Sequence, residues 1–310
     1  MTNCSARLRD AAPAAIILAG GEGKRLRALT RRIAGDDRPK QFCRILGGET
    51  LLEQTRRRAA CLVPAERTVF SVTRCHERYY APALADVAPT ALVVQPENRG
   101  TAPAILYALL RLQALAPPGP VVLLPSDHYV SDADAFMARV DCAVEAVGVH
   151  PDLAVLLGIA PDRPEPGYGW IQPDELILGR SPWPLYRVRR FWEKPAAAVA
   201  AQLARRGGLW NSFVIVAQPA ALLRLIATAA PALREAFEPV RARLGTAWED
   251  MAVRRVYATM GPVDFSKDVL ERCPAMLAVL PVSGVAWTDL GEPERVVATQ
   301  QHLRWLPAPA

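Results

Sequence analysis

The chain has 310 residues, of which 51% are hydrophobic and 22% are charged. This composition excludes wholesale disorder and allows one large α/β domain, or two small ones, with a sizeable core. The formal net charge of +6 arises from 37 basic and 31 acidic residues without a concentrated basic stripe, so we expect an anionic small molecule rather than nucleic acid as the partner.

The first predicted strand covers residues 14–18 and leads directly into a glycine-rich loop over residues 20–23. An apolar run of this length, bounded by glycine, is typical of a strand that is covered on both faces. Glycines let backbone N–H groups approach an anion, and Arg25 and Lys40 follow as cations. The stretch therefore predicts a triphosphate-binding loop, although its spacing matches neither the P-loop nor the dinucleotide fingerprint.

Strands and helices alternate between residues 50 and 159. Thr50 and Glu53 have the spacing of a capping box at the start of the first of these helices. The predicted helices cover residues 50–61, 76–84, 104–115 and 135–147, and the predicted strands cover residues 68–73, 91–94, 121–124 and 153–159. This alternation predicts βαβ units, and hence a Rossmann-like α/β fold with a mostly parallel sheet flanked by helices.

The pattern changes after residue 160, where a Pro- and Gly-rich loop begins. Two predicted strands then follow with little helix between them, at residues 168–171 and 186–192, which indicates a small antiparallel insertion. The remaining predicted elements are helices at 196–206 and 220–229, helical pieces within 231–260, and strands at 210–217, 276–280 and 285–287.

Six cysteines and four histidines are scattered along the chain, without a Cys-x-x-Cys pair. This spacing favours reduced thiols in the cytoplasm over a disulfide framework or a zinc site. No stretch approaches the apolar length of a membrane span, so we expect no membrane partner. A signal peptide at residues 11–20 is disfavoured because a glycine-basic loop, rather than a small-residue cleavage site, follows it.

Polar clusters follow three of the predicted strands, in the glycine loop, at residues 95–101 and at residues 126–128. Ligands of open α/β sheets bind beyond the carboxyl ends of the strands, so we expect one site there. Asp127 and Asp289 each follow an apolar strand, and two such carboxylates suit Mg²⁺ on a polyphosphate. Taken alone, Asp127 fits a helix cap or a turn equally well.

Seven short motifs occur in one order along the chain. They cover residues 18–26 with 39–41, then 101–105, 124–128, 167–169, 193–195, 210–212 and 287–291. Together they resemble the sugar-1-phosphate nucleotidyltransferases over about residues 14–298, and most closely the branch of mannose-1-phosphate guanylyltransferases.

The resemblance implies one nucleotidyltransferase-type domain over residues 12–300, with a nucleotide-binding half at 12–160 and a sugar-phosphate-binding half at 161–300. Residues 1–11 and 303–310 are then tails. The implied reaction joins a nucleoside triphosphate, GTP in the guanylyltransferase branch, to mannose 1-phosphate and releases pyrophosphate, with Mg²⁺ as the cofactor and GDP-mannose as the product. The implied partners are these two small molecules, and a homodimer is the candidate assembly.

The resemblance also implies roles for individual residues. The implied catalytic residues are Arg25 for the leaving pyrophosphate, Lys40 for charge near the α-phosphate, and Asp127, which would hold Mg²⁺ together with Asp289. The implied nucleotide-binding residues are Leu18, Ala19, Gly20, Gly21, Gly23, Gln95, Gly100, Thr101 and Ser126. The implied sugar-phosphate-binding residues are Gly169, Glu193, Lys194 and Asn211.

The chain departs from the family pattern at Lys24, Gln95 and Phe213. The family usually carries Thr in place of Lys24 and often Gly in place of Phe213. The larger side chain of Phe213 would narrow the sugar pocket. A Glu near the position of Gln95 commonly selects guanine, and an amide cannot accept both guanine hydrogen bonds as a carboxylate does. Two alternatives to a GTP- and mannose 1-phosphate-dependent enzyme therefore stay open. The enzyme uses another nucleoside triphosphate or sugar 1-phosphate, or the protein is a non-catalytic homologue that binds nucleotide-sugars.

Overall fold

The strands of the protein form one nine-stranded sheet and one two-stranded sheet in the parts of the chain that the computed structural model describes. These parts are residues 12–115, 118–178 and 184–305. The predicted tail segments 1–11 and 306–310 lie outside them, whereas residues 303–305 belong to the last helix.

The strands are β1 Ala14–Leu18, β2 Thr68–Thr73, β3 Leu92–Gln95, β4 Val121–Pro125, β5 Tyr129–Val130, β6 Ala154–Ile159, β7 Gly169–Leu178, β8 Leu185–Glu193, β9 Leu209–Ala217, β10 Leu277–Val282 and β11 Trp287–Thr288. The α-helices are α1 Arg27–Ala34, α2 Leu51–Ala60, α3 Glu77–Ala83, α4 Thr101–Leu115, α5 Ala133–Val149, α6 Ala197–Arg205, α7 Pro219–Ala229, α8 Pro231–Ala236, α9 Glu238–Arg241, α10 Glu249–Thr259 and α11 Pro293–Trp305. A π-helix covers Phe265–Leu270, and a 3₁₀ turn covers Lys40–Phe42.

The large sheet has the strand order β3-β2-β1-β4-β9-β6-β10-β8-β7. Strand β1 pairs in parallel with β2 and β4, β2 pairs in parallel with β3, and β6 pairs in parallel with β10. The other pairings are antiparallel, which makes β8 and β9 the two strands that run against the other seven. The expected Rossmann-like, mostly parallel sheet is thereby confirmed, and β7 with β8 forms the antiparallel insertion.

Strand β1 lies between two hydrophobic cores, one on each face of the sheet. Ala14 and Ile16 pack into the core beneath α4 and α7, while Ala15 and Ile17 pack into the core beneath α2 and α5. Side chains alternate between faces along a strand, so an unbroken apolar run is what a strand covered on both faces requires. The position of β1 places the loop after Leu18 at the carboxyl edge of the sheet.

Local signals fix several helix ends. The side chain of Thr50 accepts a hydrogen bond from the backbone N–H of Glu53, whose carboxylate accepts from the N–H of Thr50, so the predicted capping box is confirmed. Helix α4 begins at Thr101, three residues before the predicted start. The hydroxyl oxygen of Thr101 accepts from the backbone N–H of Phe265, which joins this end of α4 to the π-helix. No helix in the described ranges has the length and apolar character to cross a bilayer.

Five of the elements given above were not predicted: α1, the 3₁₀ turn at Lys40–Phe42, β5, the π-helix and α11. Strand β5 has two residues and exists through its antiparallel pairing with β11, which no local pattern encodes. The π-helix is stabilised at its start by Asp264, whose side chain accepts from the N–H of Lys267. Such short or irregular elements depend on tertiary partners rather than on hydrophobic periodicity.

Candidate active site

A cavity of about 450 Å³ opens at the carboxyl edge of the large sheet. Thirteen of the predicted site residues line it: Leu18, Gly20, Gly21, Arg25, Gln95, Gly100, Thr101, Asp127, Gly169, Glu193, Lys194, Asn211 and Asp289. The fold therefore brings both carboxylates, the glycine loop and the four predicted sugar-phosphate residues to one space, although they are up to 271 positions apart in the sequence.

Four predicted site residues stand behind the cavity wall instead: Ala19, Gly23, Lys40 and Ser126. The Ser126 hydroxyl donates to the carbonyl of Leu18 at 2.7 Å, and the Ala19 N–H donates to the carbonyl of Ser71 at 2.8 Å. Gly23 has a φ of 60°, in the left-handed region that glycine adopts without cost. These residues shape the loop after β1 from the protein side.

The glycine loop is held in place by Gln41. Its side-chain amide Nε2 donates to the carbonyl of Ala19 at 3.0 Å and to the carbonyl of Gly21 at 2.8 Å. Gly20 packs so closely that a Cβ atom there would lie 2.8 Å from Nε2 of Gln95. Gln41 lies in the motif at residues 39–41, but the family resemblance implies no role for it, and a role in holding the loop is not visible from its residue type alone.

Lys40 links the two segments that carry the carboxylates. Its ammonium group lies 3.2 Å from Oδ2 of Asp127, and its side chain is 9% exposed. The same Nζ donates to the backbone carbonyl of Asp289 and, at 3.3 Å, to that of Leu290. A buried cation with these partners keeps the end of β4 beside the segment after β11.

Asp289 is held in a fixed orientation and stays ionised. Its Oδ1 atom accepts from the backbone N–H of Gly291 at 2.7 Å and from Nη1 of Arg295 at 2.7 Å. Burial opposes ionisation, but nearby basic groups, Lys40 and Arg295 among them, outweigh it and lower the pKa of Asp289. Arg295 was not among the predicted site residues, since it lies in α11 with no motif to mark it.

His128 lies next to Asp127 in the wall of the cavity. Its Nε2 is 3.4 Å from Oδ1 of Asp127, and its ring packs edge-on against Trp287 with 5.2 Å between the centroids. Burial lowers the pKa of His128, with Asp127 opposing the shift, so the imidazole is neutral at pH 7.

Asp127 and Asp289 are the candidate ligands for a divalent cation. No group of three or more His, Cys, Asp or Glu side chains with metal-binding geometry occurs within residues 12–115, 118–178 and 184–305. Mg²⁺ bound to a polyphosphate needs only one or two carboxylates, because phosphate oxygens and waters complete its shell. The ionised Asp289 and the oxygen-only donor set therefore fit Mg²⁺.

The residues predicted for the sugar phosphate also line the cavity. A Cβ atom on Gly169 would lie 3.1 Å from Oε2 of Glu193 and 3.3 Å from Cβ of Asn211, so these three positions are in direct contact. Lys194 pairs with Glu193 at 2.8 Å, and 57% of the Lys194 side chain is exposed. Its ammonium group is therefore within reach of a ligand in the cavity.

Within the described ranges, three non-glycine residues adopt left-handed backbone conformations, and all belong to or adjoin this cavity. They are Lys194 with φ 47°, Phe213 with φ 60° and Leu290 with φ 48°. Such conformations cost on the order of 1–3 kcal/mol and cluster at functional sites. Phe213 lines the cavity, packs edge-on against Phe265 and donates its N–H to Oδ1 of Asn211 at 3.0 Å.

Gln95 closes the cavity on the side of β3. Its Nε2 donates to the hydroxyl of Ser71 at 3.2 Å, and its Oε1 accepts from the hydroxyl of Tyr257 at 3.2 Å. Asp264 and Ser266 also line this side but were not predicted, since they come from the π-helical segment that the sequence pattern does not indicate.

A mostly parallel sheet flanked by helices, with a polar cavity at its carboxyl edge, identifies the protein as a member of the α/β class, in which ligands generally bind beyond the carboxyl ends of the strands. More particularly, the chain belongs to the nucleotidyl transferase family, whose family model matches residues 14–304.

Several relatives are similar over most of the chain. The xanthan biosynthesis protein XanB of Xanthomonas campestris pv. campestris is 34% identical over 224 residues, which cover 71% of this chain and 45% of XanB. The mannose-1-phosphate guanylyltransferase of Escherichia coli K12 is 30% identical over 287 residues, which cover 89% of this chain and 57% of that protein. The chain thus spans about half the length of these curated relatives.

A solved structure supports the same fold. The crystal structure of the mannose-1-phosphate geranyltransferase from Thermus thermophilus superposes with a TM-score of 0.78 at 32% sequence identity. The match covers 93% of this chain and 80% of that one.

Proposed function

We propose that the protein is an enzyme that transfers a nucleotidyl group from a nucleoside triphosphate to a sugar 1-phosphate. The observation that carries the proposal is that one cavity is lined by residues of all three kinds: the glycine loop with Arg25, the predicted sugar-phosphate residues Glu193, Lys194 and Asn211, and the carboxylates Asp127 and Asp289. Membership in the nucleotidyl transferase family supports it.

In the proposed reaction, a phosphate oxygen of the sugar 1-phosphate forms a bond to the α-phosphorus of the triphosphate. The bond from the α-phosphorus to the bridging oxygen breaks, and pyrophosphate leaves with the electron pair. Such a transfer depends on positioning and on neutralising charge rather than on a protein nucleophile. Lys40 would offset negative charge near the α-phosphate, and Arg25 would offset charge on the leaving pyrophosphate.

The proposed roles of the other residues follow from their positions. The loop over residues 18–23, with Ser126 beneath it, would bind the triphosphate, and Gln95, Gly100 and Thr101 would contact the nucleoside. Lys194 would bind the phosphate of the sugar, and Gly169, Glu193 and Asn211 would contact its hydroxyl groups. Arg25 is paired with Glu292 and Lys194 with Glu193, so the phosphates would exchange with these carboxylates.

Asp127 and Asp289 would hold Mg²⁺. When bound, the ion would neutralise phosphate charge and fix the geometry of the triphosphate. Lys40, which contacts both segments, would keep the two carboxylates together.

We propose GTP and mannose 1-phosphate as the substrates, and therefore GDP-mannose as the product. The relatives from Escherichia coli and Thermus thermophilus both carry mannose 1-phosphate in their names, and the former is a guanylyltransferase. Because Gln95 has both ends of its amide engaged, we assign the reading of guanine mainly to backbone groups of this wall.

We also propose that residues 12–160 form the nucleotide-binding half and residues 161–300 the sugar-phosphate-binding half of one domain. The pairing of β9 with β4 and β6 in one sheet supports a single domain. A cytoplasmic location and a homodimer complete the proposal. Cys43, Cys61, Cys75 and Cys273 form no disulfide in the described part of the chain, which agrees with reducing surroundings.

The test is a pyrophosphate-release assay with Mg²⁺, the four common nucleoside triphosphates and dTTP, and a set of sugar 1-phosphates. We expect release with GTP and mannose 1-phosphate. If no pair released pyrophosphate, the proposal that the protein is an enzyme would be overturned, and a homologue that binds nucleotide-sugars without turnover would be favoured. Release with UTP or dTTP but not with GTP would overturn the assignment of guanine.

A further inference from the structure

One side chain, Arg295, joins the wall that carries Asp289 to the loop that precedes β7. Its Nη1 donates to Oδ1 of Asp289 at 2.7 Å, and its Nη2 lies 3.1 Å from Oε1 of Glu165. The guanidinium lies over the ring of Tyr168, with 4.2 Å between Cζ and the ring centroid. Only 11% of the Arg295 side chain is exposed.

The loop before β7 is built around this guanidinium. A Cβ atom on Gly167 would lie 2.5 Å from Nη2 of Arg295, so a side chain there would displace the guanidinium from its present position. The Glu165 carboxylate that Arg295 pairs with also accepts from the backbone N–H of Gly167 at 2.9 Å. The carbonyl of Glu165 accepts from the indole N–H of Trp170 at 2.8 Å, which anchors the loop to β7.

The same guanidinium determines which carboxylate oxygen of Asp289 is free. Both of its hydrogen-bond donors within the described chain, Gly291 N–H and Arg295 Nη1, converge on Oδ1. A planar guanidinium holds Asp289 through Nη1 and Glu165 through Nη2, two nitrogen atoms in fixed geometry, whereas the single nitrogen of a shorter lysine side chain cannot occupy both positions. The oxygen left for a cation is then Oδ2.

We propose that Arg295 is a positioning residue that holds the cation ligand Asp289 and the sugar-side loop at residues 165–169 as one unit. The inference rests on the proposed function. Loss of this one side chain, which lies outside every recognised motif, would therefore weaken cation binding and sugar-phosphate binding together, although different residues carry the two functions.

The chain offers a matched control in Arg163. This arginine also pairs with Glu165, at 3.6 Å, and also lies over an aromatic ring, that of Trp210, at 5.4 Å. It differs in that 48% of its side chain is exposed and in that its carboxylate partners, Asp162 and Glu165, do not include Asp289 in the described chain. Arg163→Met thus removes an arginine from the same loop while leaving Asp289 untouched.

The experiment uses the full chain and two readouts. Binding of Mn²⁺ alone is measured by electron paramagnetic resonance, and kcat and KM for the sugar 1-phosphate are measured by pyrophosphate release. We expect Arg295→Met to weaken Mn²⁺ binding by about 10–100-fold, the usual effect of removing a residue that orients a metal ligand, and to raise KM about as much. Arg163→Met should change neither by more than about threefold.

Two further variants keep the test decisive if Arg295→Met does not fold. Arg295→Lys should recover one of the two properties but not both, and Glu165→Gln should raise KM without changing Mn²⁺ binding. Equal Mn²⁺ affinity and equal KM in wild type, Arg295→Met and Arg295→Lys would overturn the proposal. If the wild type released no pyrophosphate, the proposed function would fail, while the Mn²⁺ readout would still decide the role of Arg295 toward Asp289.

Discussion

The ammonium group of Lys40 lies 3.2 Å from Oδ2 of Asp127, beneath the floor of the cavity. Lys40 comes from a 3₁₀ turn after α1, whereas Asp127 follows β4, so the pair joins two separate parts of the carboxyl edge. Because Lys40 also donates to the backbone of the Asp289 segment, one cation positions both candidate metal ligands. We therefore expect Lys40 both to contact a phosphate and to position the two candidate metal ligands.

Replacement of this cation should therefore impair turnover strongly. We expect Lys40→Met to lower kcat by about 10²–10³-fold, the range found when one preorganised charge-stabilising group is removed. Lys24→Met is the control, since Lys24 is 69% exposed and pairs only with Glu22 in the described chain. A kcat for Lys40→Met within threefold of wild type would exclude Lys40 from the reaction.

Asp127→Asn should abolish turnover without unfolding the protein. The change removes a carboxylate charge beside Lys40 but keeps the shape of the side chain, so the circular dichroism spectrum and the midpoint of urea unfolding should change little. Asp132→Asn is the control, because Asp132 caps α5 through its side-chain oxygen and asparagine caps as well. Near-wild-type turnover in Asp127→Asn would remove Asp127 from the proposed metal site.

The backbone at Phe213 reverses the usual ranking of alanine and glycine in a strand. With φ at 60°, any residue with a Cβ atom is strained, whereas glycine is not. We expect the free energy of unfolding, from urea denaturation, to be about 1 kcal/mol larger for Phe213→Gly than for Phe213→Ala.

Val214 provides the comparison for this prediction, as it is the next residue of β9 and its φ is not positive. There, Val214→Gly should be less stable than Val214→Ala by about 0.5–1 kcal/mol, the ordinary cost of glycine in a strand. The same ranking at both positions would show that the left-handed conformation at Phe213 is not maintained in solution.

The buried His128 should make the protein less stable below pH 7. Burial lowers its pKa in the folded state, so the unfolded chain binds a proton that the folded protein does not. The stability that His128 contributes is complete above its ordinary pKa of about 6.5 and is lost as the pH falls from there toward the folded value.

We accordingly expect urea unfolding to show a larger loss of stability between pH 7.5 and pH 5.5 for wild type than for His128→Gln. His302→Gln, which changes an exposed histidine in α11, should follow the wild type. If wild type and His128→Gln lose equal stability over this range, His128 is not the group that titrates.

The sequence predicted the parts of the fold that local chemistry determines. The apolar run at residues 14–18 required a strand covered on both faces, and Thr50 with Glu53 carried a complete capping signal. The convergence of strand ends predicted that the glycine loop, residues 95–101 and Asp127 meet at one edge of the sheet, and residues of all three line one cavity. These patterns are short-range, or follow from the direction of parallel strands. The resemblance, rather than the convergence of strand ends, supplied Gly169, Glu193, Lys194 and Asn211.

The side chains that hold the site residues in place could not be predicted from these patterns. Gln41 binds carbonyls of the glycine loop, and Arg295 pairs with Glu165. Each of these partners is 20 or more residues away in the sequence. Phe213 was recognised as a departure from the family pattern, but its left-handed backbone depends on the strand around it. Contacts of this kind depend on the folded chain and leave no periodic trace in the sequence.

The two hydrogen bonds from Gln41 have a consequence for how the protein meets a ligand. Since the carbonyls of Ala19 and Gly21 are already bound by a buried amide, the loop between them is restrained before any ligand arrives. Its conformational entropy is lost when the chain folds rather than when a phosphate binds. Association at this loop should then proceed with little structural rearrangement, and release of the ligand should leave the loop as it was, prepared for the next one.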